Sequence, residues 1–164
     1  MTDKYGIEVT MTLRVLFVSH CPSDNTEELR QAALEGIKSL DLEGIEIVSK
    51  SPLAANADDV RACDGIIIGT TENFGYMAGL IKDFFERIYY PCLESKQGLP
   101  FALYIRAGED GRGTRASIEK ITTGLRWKPI AESLILRGPY RPEFKKDTAE
   151  LAMTMVAGLD SNVF

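Results

Sequence analysis

The stretch from Ile66 to Ile88, IIIGTTENFGYMAGLIKDFFERI, changes its periodicity halfway along. Ile66, Ile67 and Ile68 form a short β-branched run that suits a parallel strand buried on both faces. From Met77 onward Leu80, Ile81, Phe84, Phe85 and Ile88 recur at helical spacing, with Lys82, Asp83, Glu86 and Arg87 on the opposite face. The segment GTTENFGYMAG between them, Gly69 to Gly79, is expected to be a loop at the carboxyl end of a parallel strand, where open α/β sheets bind ligands. Its hydroxyls on Thr70 and Thr71, the amide of Asn73, the aromatics Phe74 and Tyr76 and the permissive Gly75 suit a flat polar ligand.

The same alternation extends outward in both directions. Strands are expected near 13–19, 45–49, 65–69, 101–106 and 131–136, with helices at 26–39, 57–62, 77–90, 114–125 and 144–158. The simplest architecture is a doubly wound α/β domain of three layers over residues 11–164, with residues 1–10 as a tail before Met11. Pro91, Pro100, Pro129, Pro139 and Pro142 are expected between elements.

Composition narrows the class. At 164 residues with 45% apolar content, one compact domain is expected. The start MTDKYGIEVT lacks the basic flank and apolar run of a secretory signal, and no segment has the length of a membrane span, which points to the cytoplasm. Cys21, Cys63 and Cys92 are odd in number and far apart, fitting neither a zinc site nor a disulfide framework, and no metal is expected. A net charge of -5 with interspersed signs argues against a nucleic-acid partner.

Two further loops are expected at the same end of the sheet. After the first strand, SHCPSDNTEEL places Asn25 as the cap of a helix whose third position is Glu28, and Ser19, Ser23, Asn25 and Thr26 offer short donors around a helix start suited to an anion. The same residues would serve as plain helix caps. After the strand at 101–106, RAGEDGRGTRAS brings Gly108, Gly111 and Gly113 ahead of another helix, consistent with close backbone approach to a ligand or with an ordinary turn. Other phosphate chemistries lack their residues. No glycine lies between Ser19 and Thr26 for a P-loop, Glu27 stands where a tyrosine phosphatase following Cys21 needs Arg, and Ser19 and Thr70 end the strands where a receiver domain needs acids. His20, the sole histidine, has no GxSxG partner and is expected as a loop residue near a ligand. Trp127 is expected partly buried, and Phe84, Phe85, Tyr89 and Tyr90 mostly as core and helix end.

The segment GTTENFGYMAGLIKDFFERIYYP, with the alternation over residues 11–164, resembles the flavodoxin-like superfamily, most of all its NAD(P)H:quinone oxidoreductase and NADPH-dependent FMN reductase branch. That resemblance implies a five-stranded parallel sheet of order 2-1-3-4-5, with the three loops side by side. It implies flavin mononucleotide (FMN) as cofactor: Ser19, Ser23, Asn25 and Thr26 around the phosphate, Thr71, Glu72, Asn73, Phe74, Gly75 and Tyr76 at ribityl and ring, and Ala107, Gly108, Glu109, Asp110 and Gly111 at the pyrimidine edge. Asp24 departs from the family's glycine before Asn-Thr, and His20, Cys21 and Pro22 lengthen the turn. The activity first implied is an oxidoreductase taking hydride from NADH or NADPH and passing electrons to a quinone or similar acceptor, with the flavin carrying the chemistry and a homodimer in keeping with that branch. Arg106 or Arg112 near the ring would favour an anionic reduced flavin, and Glu109 and Asp110 would oppose it. The alternatives are an electron carrier that meets redox proteins without turnover of its own, and a flavin-free structural or regulatory domain.

Overall fold

The computed structural model describes Gly6 and residues 11–164, so the expected tail over residues 1–10 lies, Gly6 apart, outside the described residues. Twelve elements follow in order: β1 Leu13–Ser19, α1 Asp24–Ser39, β2 Ile45–Lys50, α2 Ala57–Ala62, β3 Gly65–Asn73, β4 Tyr76–Met77, α3 Gly79–Cys92, β5 Pro100–Ala107, α4 Arg112–Gly124, β6 Lys128–Pro129, β7 Leu134–Arg137 and α5 Glu143–Asp160. β2, β1, β3 and β5 lie side by side in parallel, and β6 and β7 both pair with β5 as a broken fifth column. The sheet is therefore the five-column parallel order 2-1-3-4-5.

Neighbouring residues on a strand point to opposite faces, and the two cores divide accordingly. Leu16, Val18, Ile66 and Ile68 pack with Ile81, Phe84, Phe85 and Ile88 of α3 and Ile118 of α4. Val15, Phe17 and Ile67 pack with Leu29, Ala33 and Ile37 of α1 and Met155 and Val156 of α5. Burial on both faces explains why the central strands read as unbroken apolar runs.

Several expectations change, among them the strand expected at 131–136, whose place is divided between β6 and β7. The Gly69–Gly79 loop is largely strand: β3 runs on to Asn73 and turns back into β4, pairing Glu72 with Met77 and Asn73 with Tyr76. The two turn residues, Phe74 at φ 53° and Gly75 at φ 70°, both lie in the left-handed region, as a two-residue hairpin of matching twist requires. α3 consequently starts at Gly79 rather than Met77, and Leu80 is 40% exposed rather than core. The prolines are not all between elements. Pro91 lies in the last turn of α3, Pro100 opens β5 and Pro129 sits in β6 at the sheet edge, where a missing N–H costs little. Trp127 is buried rather than partly so, between the rings of Phe85 and Phe101 at 6.2 Å each. Phe84 and Phe85 are core, as expected, whereas Tyr90 is 80% exposed.

Candidate functional site at the carboxyl rim of the sheet

The hairpin and the loop after β5 meet beside an open surface cavity of about 440 Å³ lined by Glu72, Phe74, Gly75, Gly108 and Glu109. That volume falls within the span of small-molecule sites, roughly 300 to 1,000 Å³. The loops are joined through Glu72, whose carboxylate accepts the Glu109 N–H at 2.8 Å and the Gly111 N–H at 2.7 Å. Gly75 and Gly113 close the other side: a Cβ on Gly113 would overlap the Gly75 carbonyl oxygen, so only glycine lets α4 approach the turn. Gly111 caps α4 at φ 68° and packs on Ile135 and Ala107.

Phe74, at the hairpin tip, is fully exposed. A large apolar side chain in the left-handed region with no protein contact to stabilise it is costly twice over, in backbone strain and in exposed apolar area. Tyr76 beside it is 42% exposed. Beneath them, the Thr71 hydroxyl donates to Asn73 Oδ1 at 2.8 Å, which leaves the Asn73 amide hydrogens without a partner among the described residues. Thr70, buried, accepts the Ala78 N–H at 3.2 Å and donates to the Thr71 carbonyl, fixing both ends of the hairpin.

The first loop is built differently from the expectation. Ser23, not Asn25, is the cap of α1, and Thr26 is its third position: Ser23 N–H donates to Thr26 Oγ1 at 3.0 Å and Thr26 Oγ1 donates to the Ser23 carbonyl at 2.8 Å. Two hydroxyl residues three apart form a reciprocal cap, so the cap lies two residues earlier than the Asn25/Glu28 pair. Glu28 instead accepts the Tyr140 hydroxyl at 2.8 Å. The buried Ser19 hydroxyl sits by the Cys21 thiol at 3.6 Å and by the phenol of Tyr104, whose ring fills the space under Gly69. Burial raises the proton affinity of that phenol and keeps it neutral. Ser19 and Thr26 are thus internal, whereas Ser23, Asp24 and Asn25 are exposed.

Among the charged residues near the rim, Arg106 is turned away: its Nη1 donates to the carbonyls of Ala107 and Leu136, and its guanidinium lies over Phe144. Asp110 is taken by Arg112, through its side chain at 2.9 Å and its amide at 2.9 Å, which holds the Asp110 carboxyl below the usual carboxylate range. Glu109 stays at the cavity wall with no ion-pair partner among the described residues. Glu27 pairs with Arg30, which holds its carboxyl down at about 2.

The first loop does not share the cavity between the other two. Ser19, His20, Cys21 and Glu27 line a separate cleft of about 440 Å³ with Arg30, Leu80 and residues 49–53 at the end of β2 and just beyond it. His20 is half-buried there, and burial depresses its proton affinity, favouring the neutral ring. Sequence reasoning overlooked this wall, because nothing in residues 49–53 marks them as functional. A bond from His20 N–H to the Gly69 carbonyl at 2.9 Å ties the first loop to the second. Among the described residues no cluster of three or more His, Cys, Asp or Glu could hold a metal, and no helix is long and apolar enough to cross a membrane.

No family model matches the chain. A flavodoxin of Aquifex aeolicus is 27% identical over 112 residues, covering 68% of this chain but only 60% of that protein's length. Among solved structures, a flavodoxin from the domain Archaea superposes with a TM-score of 0.75 at 15% identity, over 90% of this chain and 99% of that one. Megasphaera elsdenii flavodoxin, solved in its two-electron reduced form, superposes with a TM-score of 0.68 at 20% identity, over 85% and 98% of the two chains. Strand order, layering and these superpositions agree, and the fold of this chain is flavodoxin-like.

Proposed function

We propose that this chain binds FMN at the rim and serves as an electron carrier. The observation that carries the reading is Phe74: an exposed ring held in a strained turn over a polar cavity, an arrangement that gains stability only when a planar partner covers the ring. The likeness to flavodoxins supports the carrier reading over the reductase one.

The donor set suits the two halves of the cofactor unequally. Phe74 and Tyr76 would cover the ring, with Gly75, Ala107, Gly108, Glu109, Asp110 and Gly111 along its edge. Thr71 and Asn73 would hold the ribityl hydroxyls, and Glu72 would shape the wall between hairpin and loop. The phosphate would rest on Ser23, Asn25 and the first amides of α1, with Ser19 and Thr26 behind them as supports. Hydrogen bonds to a charged group contribute roughly 1.5 to 3 kcal/mol each, so neutral donors suffice. Asp24 and Glu27 in that first turn act against the phosphate charge, which Arg30 offsets by engaging Glu27. When bound, the group supplies reversible one- and two-electron chemistry. The residues of this chain would orient the ring and exclude water from one face, and Glu72 and Glu109 would place negative charge beside it.

A reductase that takes hydride from NADH or NADPH and delivers electrons to a quinone is the second reading. It is favoured by the modest net charge of -5, since carriers of this kind gather strong acidity around the exposed flavin edge. Titration with FMN, followed by visible absorbance and flavin fluorescence, tests the shared part; a protein that takes up no FMN overturns both. Anaerobic addition of NADH or NADPH to the loaded protein then separates them. Bleaching by dithionite but not by either nucleotide supports the carrier, and bleaching by a nucleotide supports the reductase.

A further inference from the structure

The gap between the hairpin and the third loop is held from two directions. On one side each Glu72 oxygen accepts a backbone N–H of the other loop, from Glu109 and from Gly111. On the other, the Gly75 carbonyl rests against Gly113. The cap residue of α4, Gly111, has no side chain to offer and α4 carries no acid in its own first turn, although Asp110 just before it accepts the Arg112 N–H. The Glu72 carboxylate, from a different element, accepts the N–H of Gly111, the cap residue, and together with Asp110 meets the positive end of the helix dipole. Glu72 cannot drift away from this position freely, because its backbone is paired with Met77 in the hairpin ladder.

We propose that Glu72 is a positioning residue that welds the β3–β4 hairpin to the loop after β5, so that the cavity for a planar ligand stands formed before the ligand arrives; this rests on the flavin reading above. Its oxygens are committed to the third loop rather than to the ribityl chain or ring, so its contribution to the cofactor is made through Glu109 and Gly111. Its charge nonetheless remains in the cavity wall. The alternative, in which the carboxylate occupies donors that a ligand needs for itself, predicts opposite effects on binding.

Glu72→Ala and Glu72→Gln test the proposal with three readouts. In protein free of FMN, the Glu109 and Gly111 amides are expected to exchange at least tenfold faster in Glu72→Ala than in the parent, with Glu72→Gln between. FMN affinity, from fluorescence quenching, is expected to fall at least tenfold in Glu72→Ala and less in Glu72→Gln. In FMN-loaded Glu72→Gln, loss of the charge is expected to favour fully reduced over oxidised flavin by three- to tenfold, about 14 to 30 mV at 29.6 mV per tenfold for the two-electron couple. A purely structural role would leave that potential unmoved. Unchanged exchange at both amides overturns the weld, and unchanged or tighter FMN binding in Glu72→Ala overturns the positioning role. If Glu72→Ala does not fold, Glu72→Gln is judged by the same three criteria. A parent protein that binds no FMN overturns the flavin reading and the positioning role together, and amide exchange then reports separately whether the weld exists.

Discussion

Replacing Phe74 by glycine should move stability and cofactor binding in opposite directions. At φ 53° a residue with a Cβ is strained by about 1 to 2 kcal/mol relative to glycine. The greater freedom of glycine in the unfolded chain returns about 0.5 to 1 kcal/mol of that. The ring is fully exposed, so its loss removes no packing. The balance is a gain of about 0.5 to 1 kcal/mol, a rise in Tm of about 1 to 4 °C for a chain of this size. Binding loses what the ring would contribute on being covered. Burying half of a phenylalanine is worth about 1 kcal/mol and the aromatic contact about 0.5 to 1.5 kcal/mol more, together about 2 kcal/mol, or about 30-fold in Kd. Thermal unfolding without FMN and fluorescence titration with it measure the two arms. A fall in Tm would show that Phe74 packs against protein in solution. FMN affinity within threefold of the parent would remove Phe74 from the site.

Gly113→Ala should loosen the hairpin from α4, because its Cβ would meet the Gly75 carbonyl; a loss of about 1 to 3 kcal/mol is expected by chemical denaturation, and an unchanged midpoint would mean the contact is not formed. Glu27, held at about 2 by Arg30, lies below its unfolded value near 4.3, so the pair stabilises the fold above about pH 4.5 and the contribution is lost as pH falls through about 2. Because the Glu27 side chain is 43% exposed, screening limits this to about 0.5 to 1 kcal/mol; Arg30→Gln should flatten that part of the stability profile, and an unaltered profile would refute the coupling. Burial pushes the Cys63 thiol up to about 12 and raises those of Cys92 and Cys21, but only Cys21 is less than fully enclosed. Iodoacetamide should therefore label Cys21 alone in the native protein, faster above pH 9 than at pH 7, as mass spectrometry of tryptic peptides would show; labelling of Cys63 at a similar rate would contradict the packing.

Much of the fold was legible because its signals are local. The β-branched run at Ile66 to Ile68 and the helical spacing from Ile81 to Ile88 report burial directly, and five such alternations leave few arrangements other than a doubly wound sheet. The hairpin tip was not legible. Asn73-Phe74-Gly75-Tyr76 carries one glycine where a two-residue turn prefers two permissive residues, so Phe74 reads as loop although it closes a hairpin. The cap of α1 was missed by two residues because Ser23, Asn25 and Thr26 are all competent caps, and only the reciprocal Ser23–Thr26 bonds choose between them.

The sequence by itself determined the alternation of elements and the layers, since periodicity and chain order are properties of neighbours along the chain; the strand columns and the loops at the carboxyl rim followed from the resemblance. Only the tertiary structure decided that Glu72 caps a helix begun 40 residues later, that Arg106 turns to Phe144, and that the first loop opens on its own cleft with the loop after β2. Those outcomes depend on which amides and carbonyls are left unpaired once the strands lie side by side, and an unpaired group takes its partner from whatever is near in space, irrespective of separation in sequence.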